Sequence, residues 1–190
     1  MASAMDKREM ILLEAEKLFT EKGYYGLSLS ELLTRCDIPK GSFYYYFPDG
    51  KSQLLSEALR YGYERMERGI RTGLLVKPTA LACFEGMADH LASGIGTGRS
   101  YVSLFLTMIS IESVHMDERI HRTCRRIYDN WQALYAEHLE RFGFGPEESV
   151  VKAQAVFALI HGSMVSSWIK QDPSDLMMAK ASLKGIIGER

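Results

Sequence analysis

Residues 40–47, Lys40-Gly41-Ser42-Phe43-Tyr44-Tyr45-Tyr46-Phe47, carry the strongest chemical signal in the chain. Wound as a helix at about 100° per residue, they set Phe43 and Phe47 about 40° apart on one side. Tyr45 then points away from them, with Gly41 and Ser42 beside it. Tyr44 and Tyr46 flank the two faces, and Lys40 projects from the first turn. A helix anchored by two phenylalanines thus offers a phenol, a hydroxyl and an ammonium outward. These groups suit a nucleic-acid groove: Lys for guanine or phosphate, Tyr and Ser for phosphate oxygens and base edges, Gly41 for close approach. The plain alternative is that a tyrosine-rich stripe is only the rim of an amphipathic core helix. These residues alone do not choose between the two.

Other groupings carry less. His121 and Cys124 stand three apart on one helical segment and have the types of a metal pair, but no third or fourth ligand lies at a local spacing. No metal is expected. Cys36 reads as a small buried hydrophobe rather than a redox switch. Glu112 with nearby His115 has the makings of an acid–base pair. No nucleophile, oxyanion loop or phosphate-binding glycine motif accompanies it, so the sequence points to no enzyme and no cofactor. Arg122, Arg125 and Arg126 read as a solvated helix face.

The elements that must position residues 40–47 shift the balance toward the nucleic-acid reading. Residues 6–22 carry Ile11, Leu12, Ala15, Leu18 and Phe19 at a three-four spacing, a helix burying one face, and Gly23 is its natural C-cap. Ser28-Leu29-Ser30-Glu31 reads as a capping box, with Ser28 as N-cap and Glu31 reaching back to it. A short helix over 29–36 follows, burying Leu29, Leu32, Leu33 and Cys36. Asp37 can take the left-handed conformation that ends it, and Pro39 can open the next helix at its first turn. Two short helices joined by a tight turn, the second facing outward, make a helix-turn-helix.

At these residues the chain resembles the TetR family of transcriptional regulators. The shared pattern is Gly23-Tyr24-Tyr25-Gly26-Leu27-Ser28, then Gly41-Ser42-Phe43-Tyr44-Tyr45-Tyr46-Phe47, then Lys51. It covers roughly residues 10–59. Asp37 stands where the family usually has Gly, and Pro39 where it usually has a Ser or Thr cap. The resemblance implies an all-α fold: a three-helix helix-turn-helix domain over residues 1–50, then a helical ligand-binding and dimerisation domain over 51–190, about nine helices in all. It also implies backbone contacts from Ser28, Ser42, Tyr44, Tyr46 and Lys51; base readout by Lys40 and Tyr45, beside Gly41, is expected from their projection on the exposed side of the second helix.

Composition is that of an ordinary globular protein, 46% hydrophobic and 25% charged, with a net charge of −1. Residues 1–60 hold eight Lys or Arg against nine Asp or Glu. Non-specific coating of nucleic acid is thereby disfavoured relative to a few placed cations. Three distant cysteines, Cys36, Cys83 and Cys124, suit reduced thiols in a cytoplasm. No apolar run near 18 residues is evident, so no membrane partner is expected.

Beyond residue 50 the pattern stays helical. A long helix from Lys51 carries Leu54, Leu55, Ala58, Leu59, Gly62, Met66 and Ile70 on its apolar side. Further helices are expected over 78–93, 100–112, 117–142, 147–170 and 174–187, with a glycine loop at 94–98 and Asp117 as an N-cap. Ten methionines and twenty aromatic residues include Met66, Phe84, Met87, Tyr101, Phe105, Met108, Trp131 and Tyr135. These are either ordinary core or the wall of an apolar effector cavity, which flexible Met and flat rings would suit. Helices 147–170 and 174–187 are expected to form a homodimer interface around Val151, Ala155, Ala158, Leu159, Gly162 and Val165. The reading at this stage is a ligand-responsive dimeric repressor of a pseudo-palindromic operator, or else a DNA-binding dimer without a small-molecule effector.

Overall fold

The computed structural model describes residues 6–74, 76–97 and 102–188. Tyr101 and the segment limits drawn at residues 98 and 100 lie outside them. In chain order the described helices are α1 (Lys7–Gly26), α2 (Leu29–Cys36), α3 (Lys40–Tyr46), α4 (Lys51–Gly69), α5 (Ala80–Ala92), α6 (Val102–Glu112), α7 (Glu118–Arg141), α8 (Pro146–Lys170) and α9 (Ser174–Ile187). Among the described residues there is no strand. The all-α expectation holds. Two compact units form: one from the described residues up to Met66 with Val102–Ile127, the other from the remainder.

In the first unit, α1 packs on α2 and α6 through Ile11, Leu12, Leu18 and Phe19, with the Phe19 and Phe105 rings stacked at 6.3 Å. Gly23 interrupts α1 at φ 68° and ψ 179°. A Cβ there would lie 2.4 Å from Glu112 Oε1, so glycine is required both for its backbone and for space. The other Glu112 oxygen accepts the Tyr24 N–H at 2.9 Å, which makes this carboxylate a cap on the broken helix end. His121, singled out beside Cys124, has its Nδ1 3.1 Å from the Ser113 hydroxyl.

Two local expectations need correction. In α2 only Leu32 and Cys36 are buried, while Leu29 and Leu33 are half-buried, because an eight-residue helix sheltered on one side has room for one narrow stripe. The capping box is half formed. Ser28 accepts the Glu31 N–H at 3.1 Å, but the Glu31 carboxylate turns to Lys22 at 2.7 Å and Arg35 at 3.1 Å. Charge-assisted bonds to two cations outcompete one neutral backbone donor.

All the apolar positions expected along α4 are buried. A Cβ on Gly62 would come within 2.9 Å of Val102 Cγ2 and 3.6 Å of Phe105, so this glycine lets α6 close on α4. Below it, Arg65 Nη2 lies 3.1 Å from both oxygens of buried Glu16, whose pKa burial pushes up against the pull of that arginine. After 19 residues, about 28 Å of helix, α4 ends at Gly69 and continues as a π-helical turn, Ile70–Leu74.

In the second unit, α9 packs on both α5 and α8. α5 starts later than expected because the Thr79 hydroxyl accepts the Ala82 N–H at 3.1 Å and caps it there. Lys180 ties α9 to Asp89 of α5 at 2.8 Å. α8 overturns the expectation of no long apolar run: an 18-residue window reaches a mean hydropathy of 1.2, enough by length and composition to cross a membrane. The reason is that both of its faces are apolar. Val156, Phe157, Ile160 and Met164 are buried, and Val151 and Ile169 are exposed.

Candidate nucleic-acid interface

The second helix of the motif is set by backbone geometry before any side chain is considered. Asp37 stands at φ 49°, ψ 52°, and its N–H bonds Thr34 O at 3.2 Å while Ile38 N–H bonds Leu33 O at 3.1 Å. This closes α2 and turns the chain. Pro39 lies one position outside α3 as its N-cap, rather than in the first turn, and its carbonyl accepts the Ser42 N–H at 3.0 Å. Gly50 at φ 71° then starts α4, its carbonyl accepting the Leu54 N–H at 3.0 Å.

α3 has the expected two sides. Phe43 and Phe47 are buried, their centroids 5.4 Å apart, and Arg8 of α1 lies 5.8 Å over the Phe47 ring. Tyr45 is 80% exposed and Tyr44 is 42% exposed. Lys40 is exposed and Ser42 and Tyr46 are half-buried, with Lys40 Nζ 6.0 Å from the Tyr44 centroid and the Tyr45 and Tyr46 rings edge-on at 5.1 Å. A Cβ on Gly41 would meet nothing within 4 Å. Glycine inside a helix costs about 1 kcal/mol relative to alanine, and no contact within the chain requires it here. An unobstructed approach to the helix is what Gly41 offers.

Ser28 is committed to the cap of α2 and to Ser30 at 2.9 Å, but stays exposed. Lys51 is an internal strut. Its ammonium donates to Leu27 O at 2.7 Å and lies 4.6 Å from the Tyr24 centroid, and burial lowers its pKa. Tyr24 in turn pairs with Ser52 at 3.1 Å. Sequence reasoning missed these supporting roles of Arg8 and Tyr24, since nothing in local spacing links residues so far apart in the chain. Cys36 is buried, which pushes its thiol up to about 11 and leaves little thiolate at neutral pH.

The residues expected around an effector are divided between the two units. Met66, Phe105 and Met108 belong to the first, where Phe105 packs on Phe19. Phe84, Met87, Trp131 and Tyr135 meet in the second: Phe84 and Tyr135 are edge-on at 5.1 Å, and the Tyr135 hydroxyl donates to Met87 Sδ at 2.7 Å. Burial raises the Tyr135 pKa. His161, missed from the sequence, completes this cluster. It stacks on Phe157 at 3.9 Å and sits edge-on to Trp131 at 4.2 Å. Neither of its ring nitrogens has a hydrogen-bond partner among the described residues, and burial pushes its pKa down to about 3. Its i,i+4 spacing from Phe157 on an apolar helix was the available signal.

The positions expected at a dimer interface lie on the outer side of α8. Val151, Ala155, Ala158 and Gly162 are exposed, and Leu159 and Val165 are half-buried. Leu159 and Gly162 join Met178 and Ala179 of α9 in lining a shallow groove of about 320 Å³.

Comparison with known proteins agrees with this geometry. Residues 11–58 match the bacterial regulatory proteins of the tetR family, and residues 80–182 match the C-terminal domain of LmrA/YxaF-like transcriptional regulators. The chain is 25% identical to the HTH-type transcriptional regulator YxaF of Bacillus subtilis over 190 residues, covering 100% of both chains. It is 25% identical to the HTH-type transcriptional regulator LmrA of the same organism over 182 residues, 96% of this chain and 97% of that one. Among solved structures, the reduced form of NemR from Escherichia coli superimposes with a TM-score of 0.85 at 25% identity, covering 97% of this chain and 100% of NemR.

Proposed function

This chain belongs to the TetR family of bacterial transcriptional regulators, and on that premise we propose a cytoplasmic, ligand-responsive repressor. It binds a pseudo-palindromic operator as a homodimer and is released by a small apolar or aromatic effector. The observation that carries the DNA half of this reading is the outer face of α3: an exposed Tyr45, an exposed Lys40 and a glycine between them that nothing in the chain requires. In this reading residues 1–50 are the DNA-binding domain and 51–190 the effector and dimerisation domain. Lys40 and Tyr45 read base edges. Ser28, Ser42, Tyr44, Tyr46 and Lys51 hold phosphates, Lys51 keeping two of its three N–H donors after the bond to Leu27.

The effector half rests on the second unit's aromatic cluster. Phe84, Met87, Trp131 and Tyr135 are buried together and bring flat rings and a polarizable thioether to one place, the residue types that adaptable apolar sites use. The dimer half rests on the outward apolar face of α8. The test joins a thermal-shift screen of small apolar compounds to an operator-binding assay on a duplex selected from the gene's own upstream region. Compounds that raise the melting temperature and also release the duplex support a sensor. Compounds that bind without changing operator affinity favour the alternative, a DNA-binding dimer without a small-molecule effector.

A further inference from the structure

A second candidate site lies in the first compact unit, between α4 and the beginning of α7. A cleft of about 320 Å³ is lined by Ser56 and Arg60 of α4 and by Arg119, Arg122, Thr123 and Arg126 of α7. Arg119, Arg122 and Arg126 follow one another at i, i+3 and i+7, so they share one face of α7. Like charges at such spacings destabilise a helix, and folding adds a fourth arginine from α4.

Three other arginines of this unit are matched with carboxylates, whereas Arg125, outside the cleft, makes no ion pair among the described residues. Arg8 pairs with Glu57, Arg65 with Glu16 at 3.1 Å, and Arg35 with Glu14, Glu21 and Glu31 at 3.0–3.3 Å. Around the cleft only Arg122 has a carboxylate, Glu118, at 3.6 Å with both side chains 73% exposed. Among the described residues Arg60, Arg119 and Arg126 make no ion pair. Ser56 is only 7% exposed, and its hydroxyl has no hydrogen bond among the described residues. The Thr123 hydroxyl is already spent on the Arg119 carbonyl at 2.9 Å. Among the described residues the cleft therefore holds one unbonded hydroxyl and four guanidinium groups, three of them with no counter-charge.

We propose that this cleft binds a small, soluble, phosphate-bearing molecule. Guanidinium forks match phosphate oxygens two at a time, and a recess of this size admits a compact anion with one or two phosphates. Duplex DNA held by α3 is the weaker occupant. Lys51 points from α4 toward Leu27 and Tyr24 of the motif, whereas Ser56 and Arg60 are turned about 140° and 180° around the helix from it. An anion here would bridge α4 to α7 without competing for the recognition helix, and it would be a second ligand, separate from the apolar effector.

Inorganic pyrophosphate is the probe, titrated calorimetrically into the full chain at constant ionic strength. Saturable binding is expected, weakened about tenfold or more by Arg60→Ala or Arg126→Ala, the scale of losing a hydrogen bond to a charged group. Arg125→Ala, which removes the same charge from α7 outside the cleft, should change it less than about twofold. Melting temperatures of the unliganded Arg60 and Arg126 variants should be unchanged or higher, since repulsion is relieved. Non-saturating binding, or equal weakening by Arg125→Ala, would overturn the site. Displacement of pyrophosphate by a random-sequence duplex would reassign the cleft to DNA. Arg60-dependent sedimentation with phosphatidylglycerol vesicles would reassign it to a lipid headgroup.

Discussion

Tyr45 is the most exposed large apolar ring among the described residues, and Lys40 stands just over one turn before it on α3. Neither props up the core, so removing either tests recognition without testing the fold. Lys40→Ala or Tyr45→Ala should each weaken the operator complex by about 1–3 kcal/mol while random duplex is bound as before. Equal losses on both duplexes would make these residues backbone contacts. His161 gives a residue-scale prediction of a different kind. Its pKa falls from an ordinary 6.5 to about 3 in the fold. The unfolded chain therefore takes up the proton first as pH falls. Its stabilising contribution is intact above pH 6.5 and is lost progressively toward pH 3, by up to about 1.4 kcal/mol per pH unit. His138, lowered to about 4 by burial and Arg141, adds to the slope in the same direction. His161→Phe should flatten the fall in melting temperature between pH 6.5 and 4. A wild-type slope in the variant would mean that His161 is protonated in the folded protein.

At the scale of elements, α4 holds two glycines that differ. Gly62 is closed in by Val102 at 2.9 Å, whereas a Cβ on Gly69 meets nothing within 4 Å. Gly62→Ala should therefore destabilise by about 1–3 kcal/mol, the usual cost of overfilling a packed core. Gly69→Ala should not, and by propensity alone could gain up to about 1 kcal/mol. Gly69 stands where the α-helix passes into the π-helical turn Ile70–Leu74, a kind of junction often found at functional sites. If the proposed effector response pivots there, stiffening it with alanine changes the ratio of operator affinities with and without effector. Thermal melts separate the two glycines, and operator titrations decide the pivot. An unchanged ratio for Gly69→Ala rules the pivot out.

At the scale of the whole molecule, the proposed homodimer rests on the outward face of α8. Its small residues Ala155, Ala158 and Gly162 would permit close approach of a second copy beside Val151, and a two-fold dimer would impose half-sites about 34–36 Å apart, or multiples of that. Sedimentation should show a dimer at micromolar concentration. Gly162→Arg, placed where the chain itself leaves open space, should give a folded monomer whose operator affinity falls by about 100-fold or more as the second half-site is lost. A wild-type monomer would end the dimer reading.

What the sequence determined by itself were features set by near neighbours. The two faces of α3, the left-handed Asp37, the Ser28 cap, the break at Gly23 and the limits of α9 all follow from helical periodicity or from one residue's backbone preference. Distant partners were decided only by the tertiary structure. Glu31 abandoned its capping box because folding brought Lys22 of α1 within reach, beside its i,i+4 neighbour Arg35. Glu112, paired on paper with His115, was claimed by the backbone of Tyr24. Lys51 became a strut on Leu27, a role that no local spacing signals. A charged or polar side chain takes its role from the strongest partner that packing brings to it, and that partner is seldom a neighbour in the chain.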